Sequence, residues 1–241
     1  MTTKRPNSMH RLDNALKRMT PNEKAYVNTR SLVANAIVAS MMPSGAIKGG
    51  SSLKVRFGDA LTRFTTDLDT AKNEELGSFI DSLESALGAG WCGFAGRVVP
   101  REQANPKDVP AAYVMQPFDI KLSYLGKSWC TVTLEIGHDE IGDADDPDYI
   151  VPVEANKYLE NLGFPALGPL ACMSLEYQIA QKLHGACEPR SKRAHDLIDL
   201  QVIVAHGKVD WEKVRNICVR LFAYRRQLAT AGSLYERELY A

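Results

Sequence analysis

The apolar residues of this chain change their period twice, and that change limits the fold more than any other feature. Over residues 20–42, Val27, Leu32, Val33, Ala36, Ile37 and Met41 recur every three to four positions, the spacing of one helix face. Over residues 118–136 the pattern alternates: Cys130, Val132, Leu134 and Ile136 oppose Thr131, Thr133 and Glu135, as in a strand with one buried face. The helical period returns over residues 174–186, 194–205 and 210–230. Helices, a centre with antiparallel strands and a helical end describe an α+β chain, divided here into residues 1–164 and a helical subdomain over 165–241. With 241 residues, 45% of them hydrophobic, the chain can bury a full core.

Local signals punctuate this outline. Thr20-Pro21-Asn22-Glu23 has the form of a capping box that opens the first long helix, and Pro43-Ser44-Gly45 closes it. A glycine turn, Lys48-Gly49-Gly50-Ser51-Ser52, precedes a short helix over 51–58. Residues 63–69 read as a short strand, 74–87 as a helix ended by Gly88, and 91–136 as a strand region with a hairpin turning at 125–127. Residues 139–148 form an acidic loop without the ligand spacing of a calcium-binding hand, and are read as a solvated loop.

Composition narrows the classes. No apolar stretch follows the basic residues 1–11, so no secretory signal is read. The most apolar region, 32–47, is broken by Asn35, Ser40, Pro43 and Gly45, whereas a membrane span needs about 20 apolar residues. A cytoplasmic protein without a membrane partner is expected. The five cysteines are dispersed and form no CxxC pair, which points to reduced core thiols. The zero net charge conceals segregation: residues 1–63 carry 11 Lys+Arg against 3 Asp+Glu, residues 64–179 carry 7 against 19, and residues 180–241 carry 11 against 7. Basic flanks around an acidic centre suit a polyanion beside a metal-holding cluster, and solvated charged faces produce the same count.

The acidic centre holds the candidate chemistry. In a strand, Asp67 and Asp69 point to one side while Leu68 points to the other, and two carboxylates so placed repel unless a cation sits between them. Glu135, on the polar face of its strand, supplies a third carboxylate if that strand lies beside the aspartates; otherwise it is a solvent-facing acid. Upstream, Gly49, Gly50 and Ser51 offer backbone N–H groups and a hydroxyl, the donors that phosphates need. No catalytic triad is evident among the five histidines and scattered cysteines.

These blocks, together with Arg63-Phe-Thr-Thr-Asp67-Leu-Asp69, Ser174-Leu-Glu-Tyr-Gln-Ile-Ala-Gln-Lys182-Leu-His and His195-Asp196-Leu-Ile-Asp199-Leu, resemble the AbiEii/AbiGii nucleotidyltransferase toxins, members of the polymerase-β-like superfamily. The resemblance covers residues 45–205. It implies a nucleotidyltransferase core with a mixed or antiparallel sheet, Mg²⁺ or Mn²⁺ held by Asp67, Asp69 and Glu135, and a nucleoside triphosphate held by Gly49, Gly50, Ser51, Arg63 and Lys182. It also implies that Asp196 orients Lys182 as part of the catalytic group, and places His195 where the family often carries arginine. Without the resemblance, Lys182 reads as a surface lysine, Asp196 and Asp199 as helix-surface acids, and Arg63 as an ordinary ion-pair partner. The implied reaction is attack of an acceptor hydroxyl on the α-phosphorus with release of pyrophosphate, in a toxin of a toxin–antitoxin or phage-defence system that is neutralised by a cognate antitoxin. For an RNA acceptor, such as a tRNA 3′ end, Lys208, Lys213, Arg215, Arg220, Arg225 and Arg226 are candidates to track the backbone. Transfer to a protein or small-molecule hydroxyl, and a catalytically silent nucleotide-binding module, are the alternatives.

Overall fold

The computed structural model describes residues 4–103, 114–189 and 191–239; residues 104–113 of the expected strand region lie outside these. Fifteen elements follow in chain order: α1 (Met9–Arg18), α2 (Glu23–Ser40), β1 (Ala46–Ile47), α3 (Gly49–Phe57), β2 (Leu68–Lys72), α4 (Leu76–Ala89), β3 (Phe94–Pro100), β4 (Gln116–Tyr124), β5 (Lys127–His138), β6 (Asp148–Ile150), α5 (Val153–Asn161), β7 (Leu170–Cys172), α6 (Leu175–Cys187), α7 (Ala194–His206) and α8 (Trp211–Leu239).

The strands form one mixed sheet in the order β3-β4-β5-β2-β1-β7-β6. The β3-β4-β5 meander is antiparallel, β5 runs parallel to β2, and β1 is antiparallel to β2 but parallel to β7. The main core packs α1, α2, α4 and α5 against this sheet, through Leu12, Leu16, Ile37, Phe79, Leu83, Leu87 and Leu159. A second core joins Leu53 of α3 to Leu175, Ile179, Ile203 and Val214 of the last three helices. No helix among the described residues is long and apolar enough to cross a membrane.

Several local expectations shift for identifiable reasons. The capping box is not used: Asn22 is the N-cap, its side chain accepting from Ala25 N at 2.9 Å, while Thr20 Oγ1 donates back to Lys17 O at the end of α1. The strand expected over 63–69 begins only at Leu68, where pairing with β5 starts, so Asp67 immediately precedes it. Helix α4 runs through Gly88 and ends at Gly90, whose φ of 70° provides the left-handed turn. In the β4–β5 hairpin, Leu125 and Gly126 both have positive φ, the two-residue turn that matches strand twist. A register shift opposite Leu122 and Ser123 leaves Trp129 as the extra residue of a bulge, buried against Phe94 with ring centroids 5.2 Å apart.

The acidic loop after β5 is solvated only in part: Asp145, Asp146 and Asp148 are exposed, but the stretch before them is not. Glu140 is 7% exposed and Asp143 2% exposed. Arg225 of α8 grips Glu140 with two hydrogen bonds, of 3.2 and 2.6 Å, Arg220 donates to Ile141 O, and Gln181 donates to Asp143. Buried carboxylates persist where donors of this kind reach them. Two of the arginines expected to track RNA are therefore turned onto the chain's own loop.

Candidate active site

The site is assembled at the step from β1 to α3. Lys48 N donates to Asp69 O at 2.8 Å, binding the end of β1 to β2. Gly49, with φ of 63°, then turns the chain into α3 so closely that a β-carbon there would overlap the Asp69 carboxylate. The first-turn N–H groups of a helix have no intrahelical partners and carry its positive end, so α3 starts with an anion-binding terminus beside the aspartates. A β-carbon at Gly50 would lie 3.2 Å from the Arg63 guanidinium. Ser51 is buried at 5% exposure and its hydroxyl donates to Asp67 O, which ties the helix to the backbone of the aspartate pair.

On the sheet side, Asp69 and Glu135 are register partners on the adjacent parallel strands β2 and β5. Burial raises the Asp69 carboxyl, the neighbouring Glu135 raises it further, and it reaches about 6. Glu135 is likewise raised, by burial and then by Asp67. Lys48 opposes both shifts. Asp67 adds to the charge beside both carboxyls, and its Oδ1 accepts a 3.1 Å hydrogen bond from Thr66. Among the described residues no three His, Cys, Asp or Glu side chains already stand together as a metal-binding group. In donor chemistry and in uncompensated negative charge, the carboxylates fit a hard divalent cation.

The opposite side is helical and fully paired. Lys182 of α6, 5% exposed, reaches Asp199 Oδ2 at 2.7 Å and Asp196 Oδ1 at 3.2 Å, both on α7. Arg63 enters from the loop before β2 and donates to Asp199 at 3.2 Å, and Arg193 donates to Asp196. The two aspartates are 1% and 2% exposed. Burial pushes the Asp196 carboxyl up, but Lys182 and Arg193 outweigh it and hold the group below the usual carboxylate range. Asp199, not Asp196, makes the shorter contact to Lys182. His195 remains half-exposed, 3.7 Å from Asp196.

Between the two sides lies a cleft of about 370 Å³ lined by Lys48, Gly49, Asp69, Glu135, Lys182 and Arg193, and extended by His138, Glu140, Gln178, Gln181 and Arg225. A volume of this size suits a small-molecule ligand. Gly49, Asp69, Glu135 and Lys182 line it directly; Gly50, Arg63 and Asp196 adjoin it through their neighbours; Ser51 lies behind it. Sequence reasoning missed Lys48, although a lysine at the head of the glycine turn was a visible signal. It also missed Gln178 and the Glu140–Arg225 pair, for which helix periodicity carries no signal.

The fold is that of a nucleotidyltransferase. The chain belongs to the AbiEii family, matched over residues 31–240 and described as nucleotidyl transferase AbiEii toxin, type IV toxin–antitoxin system. Membership makes it a nucleotidyltransferase toxin, and implies a nucleoside triphosphate substrate and an antitoxin partner. Among solved structures it is similar to the nucleotidyltransferase toxin MenT4 from Mycobacterium tuberculosis H37Rv, at a TM-score of 0.57 and 18% identity, over 89% of this chain and 70% of that one. It is also similar to a putative nucleotidyltransferase from H. pylori, at a TM-score of 0.44 and 19% identity, over 77% of this chain and 70% of that one. No curated protein matches the chain by sequence.

Proposed function

We propose that this toxin transfers a nucleoside monophosphate from a nucleoside triphosphate to a hydroxyl of an RNA acceptor, such as the 3′ end of a tRNA, with Mg²⁺ or Mn²⁺ held by Asp67, Asp69 and Glu135. The observation that carries this reading is the cleft itself, in which a carboxylate pair on adjacent strands faces a buried lysine across a helix N-terminus. A divalent cation bound there supplies charge neutralisation for the triphosphate and the attacking oxygen.

The remaining work falls to the chain. The N–H groups of Gly49 and Gly50 hold phosphate oxygens, and Arg63, Lys182 and Arg193 take up the negative charge that grows on the departing pyrophosphate. The acceptor oxygen bonds to the α-phosphorus as the bond to the β-phosphate oxygen breaks, so no protein nucleophile is needed. Asp196 and Asp199 position Lys182 and prevent it from swinging onto the sheet carboxylates. In this reading, residues 1–164 are the nucleotidyltransferase core, residues 165–241 supply the charge-balancing helices, and the protein works in the cytoplasm.

The test is incubation of the purified protein with Mg²⁺, each α-labelled triphosphate and total tRNA, beside an Asp67→Ala/Asp69→Ala control. Label on RNA that disappears in the control is expected. Label on protein, or on a small molecule, moves the acceptor elsewhere; triphosphate binding without transfer to any acceptor rejects the catalytic reading.

A further inference from the structure

The basic groups that line the cleft are not alike. Lys182 is shared by Asp196 and Asp199, Arg193 lies on Asp196, and Arg225 lies on Glu140. Lys48 differs: among the described residues its ammonium donates no hydrogen bond and forms no ion pair. It has acids at hand. Asp69, Glu135 and Glu140 line the same cleft, and the Lys48 charge opposes the upward shifts of Asp69, Glu135 and Asp143 through space without closing onto any of them.

A glycine sets where that ammonium rests. A β-carbon on Gly137 would lie 2.5 Å from Lys48 Nζ and 3.4 Å from Cε. The side chain therefore leaves the end of β1, crosses β2 and ends over β5, the next strand of the sheet. Gly137 follows Glu135 by two residues and so faces the same side of β5. The ammonium thus stands one pleat beyond the Glu135 carboxylate, on the cleft side, and does not pair with it. Lys48 is also the N-cap of α3, and its side chain makes no capping bond. A cation at that end adds to the positive pole of the helix rather than offsetting it. The ammonium and the first-turn N–H groups present only donors, and a phosphate oxygen at neutral pH only accepts.

We propose that Lys48 is a triphosphate-binding residue: its ammonium donates to a non-bridging phosphate oxygen and holds the polyphosphate against the start of α3, while Lys182 stays engaged with its aspartates. This rests on the reading of the cleft as the triphosphate site. Gly137 serves the same task by leaving the space in which the ammonium sits.

The experiment is calorimetric titration of wild type, Lys48→Met and Gly137→Ala with inorganic tripolyphosphate and with α,β-methylene nucleoside triphosphates, which cannot transfer, each in Mg²⁺. Beside it, binding of Mn²⁺ without phosphate is followed by electron paramagnetic resonance. Lys48→Met is expected to weaken both polyphosphates about 10-fold or more, the loss that goes with one charge-assisted hydrogen bond. Mn²⁺ alone is expected to bind Lys48→Met at least as tightly as wild type, because a like charge has been removed. Gly137→Ala, which keeps the charge but fills its seat, is expected to weaken the polyphosphates a few-fold.

Polyphosphate affinity within about 2-fold of wild type in Lys48→Met overturns the proposal and leaves the lysine as a counter-charge for the sheet acids. So does a loss of Mn²⁺ binding that accompanies the loss of polyphosphate, the result of a damaged metal site. Should Lys48→Met not fold, Gly137→Ala decides, and unchanged polyphosphate affinity there rejects the ammonium as the anchor. Wild type that binds neither tripolyphosphate nor the methylene analogues rejects the cleft as the triphosphate site, a result distinct from binding that ignores Lys48.

Discussion

The two sides of the cleft treat buried charge in opposite ways. On the sheet side, Asp69 and Glu135 sit in register with Asp67 close by, and burial and mutual repulsion raise the carboxyls of Asp69 and Glu135. On the helical side, two aspartates that are more deeply buried are shared among Lys182, Arg63 and Arg193, and Asp196 is held low. The helical side is thus finished before any ligand arrives, whereas the sheet side carries negative charge that only a cation or a proton can relieve. In the proposed reading the sheet side takes a cation and the helical side the departing phosphates, and an asymmetry of this kind serves both tasks.

The strongest way to break the comparison is to remove the sheet-side charge. Asp67→Ala/Asp69→Ala is expected to lower transfer by about 10³-fold or more, in line with the several kcal/mol that metal electrostatics contribute, without loss of thermal stability; a labelled-nucleotide assay and a melting curve read the two together. Asp199→Ala attacks the other side, removing the buried carboxylate that Lys182 and Arg63 share and leaving Lys182 with Asp196 alone. It is expected to cost about 3–5 kcal/mol in urea unfolding, as broken buried pairs do. Lys182→Met should cost less, because Arg63 and Arg193 still partner the two aspartates. If Asp199→Ala and Asp67→Ala/Asp69→Ala prove equally stable, the asymmetry is wrong.

A pH series sharpens the contrast. A carboxyl raised by folding contributes stability below its unfolded value, and loses it as pH rises through the folded one. For Asp69 that window runs from 3.8 to about 6. Asp196, held low, behaves oppositely: its contribution is present above the usual carboxylate range and is lost as pH falls. In metal-free protein, Asp69→Asn is expected to gain about 2 kcal/mol over wild type at pH 7 and almost nothing at pH 4, as measured by denaturant titration. An equal gain at both pH values contradicts the raised carboxyl.

The smallest effect is a control away from both sides. Leu125 holds φ of 47° in the hairpin turn and is 51% exposed. Leu125→Asn, which tolerates that backbone, should stabilise the fold by about 0.5–1 kcal/mol with transfer unchanged; an altered transfer rate shows that the hairpin reaches the cleft.

What was legible locally was the chemistry carried by neighbours in sequence. Alternation about Leu68 put Asp67 and Asp69 on one side, although the strand starts only at Leu68 because that is where β5 supplies a partner. The glycine turn was legible because Gly49 must adopt a positive φ. Glu135 could be recognised as a polar-face acid, but its place beside Asp69 depends on which strands pair. The acidic loop misled in part for the same reason: its composition is that of a solvated loop, and Glu140 and Asp143 are buried within it because Arg225 and Gln181 arrive from distant helices. Asp199 reads as a surface acid on α7 until α6 brings Lys182 to it, and until Arg63 crosses from 136 residues away.

The sequence by itself determined the α+β order of elements, the glycine turn, the aspartate pair and the family, since each resides in backbone preference, local periodicity or residues adjacent in the chain. Tertiary structure alone decided that Glu135 stands beside Asp69 and that Lys182 is locked by two buried aspartates. These depend on strand register, helix packing and desolvation, where the energy of a charge is set by atoms far away in sequence and a few ångströms away in space.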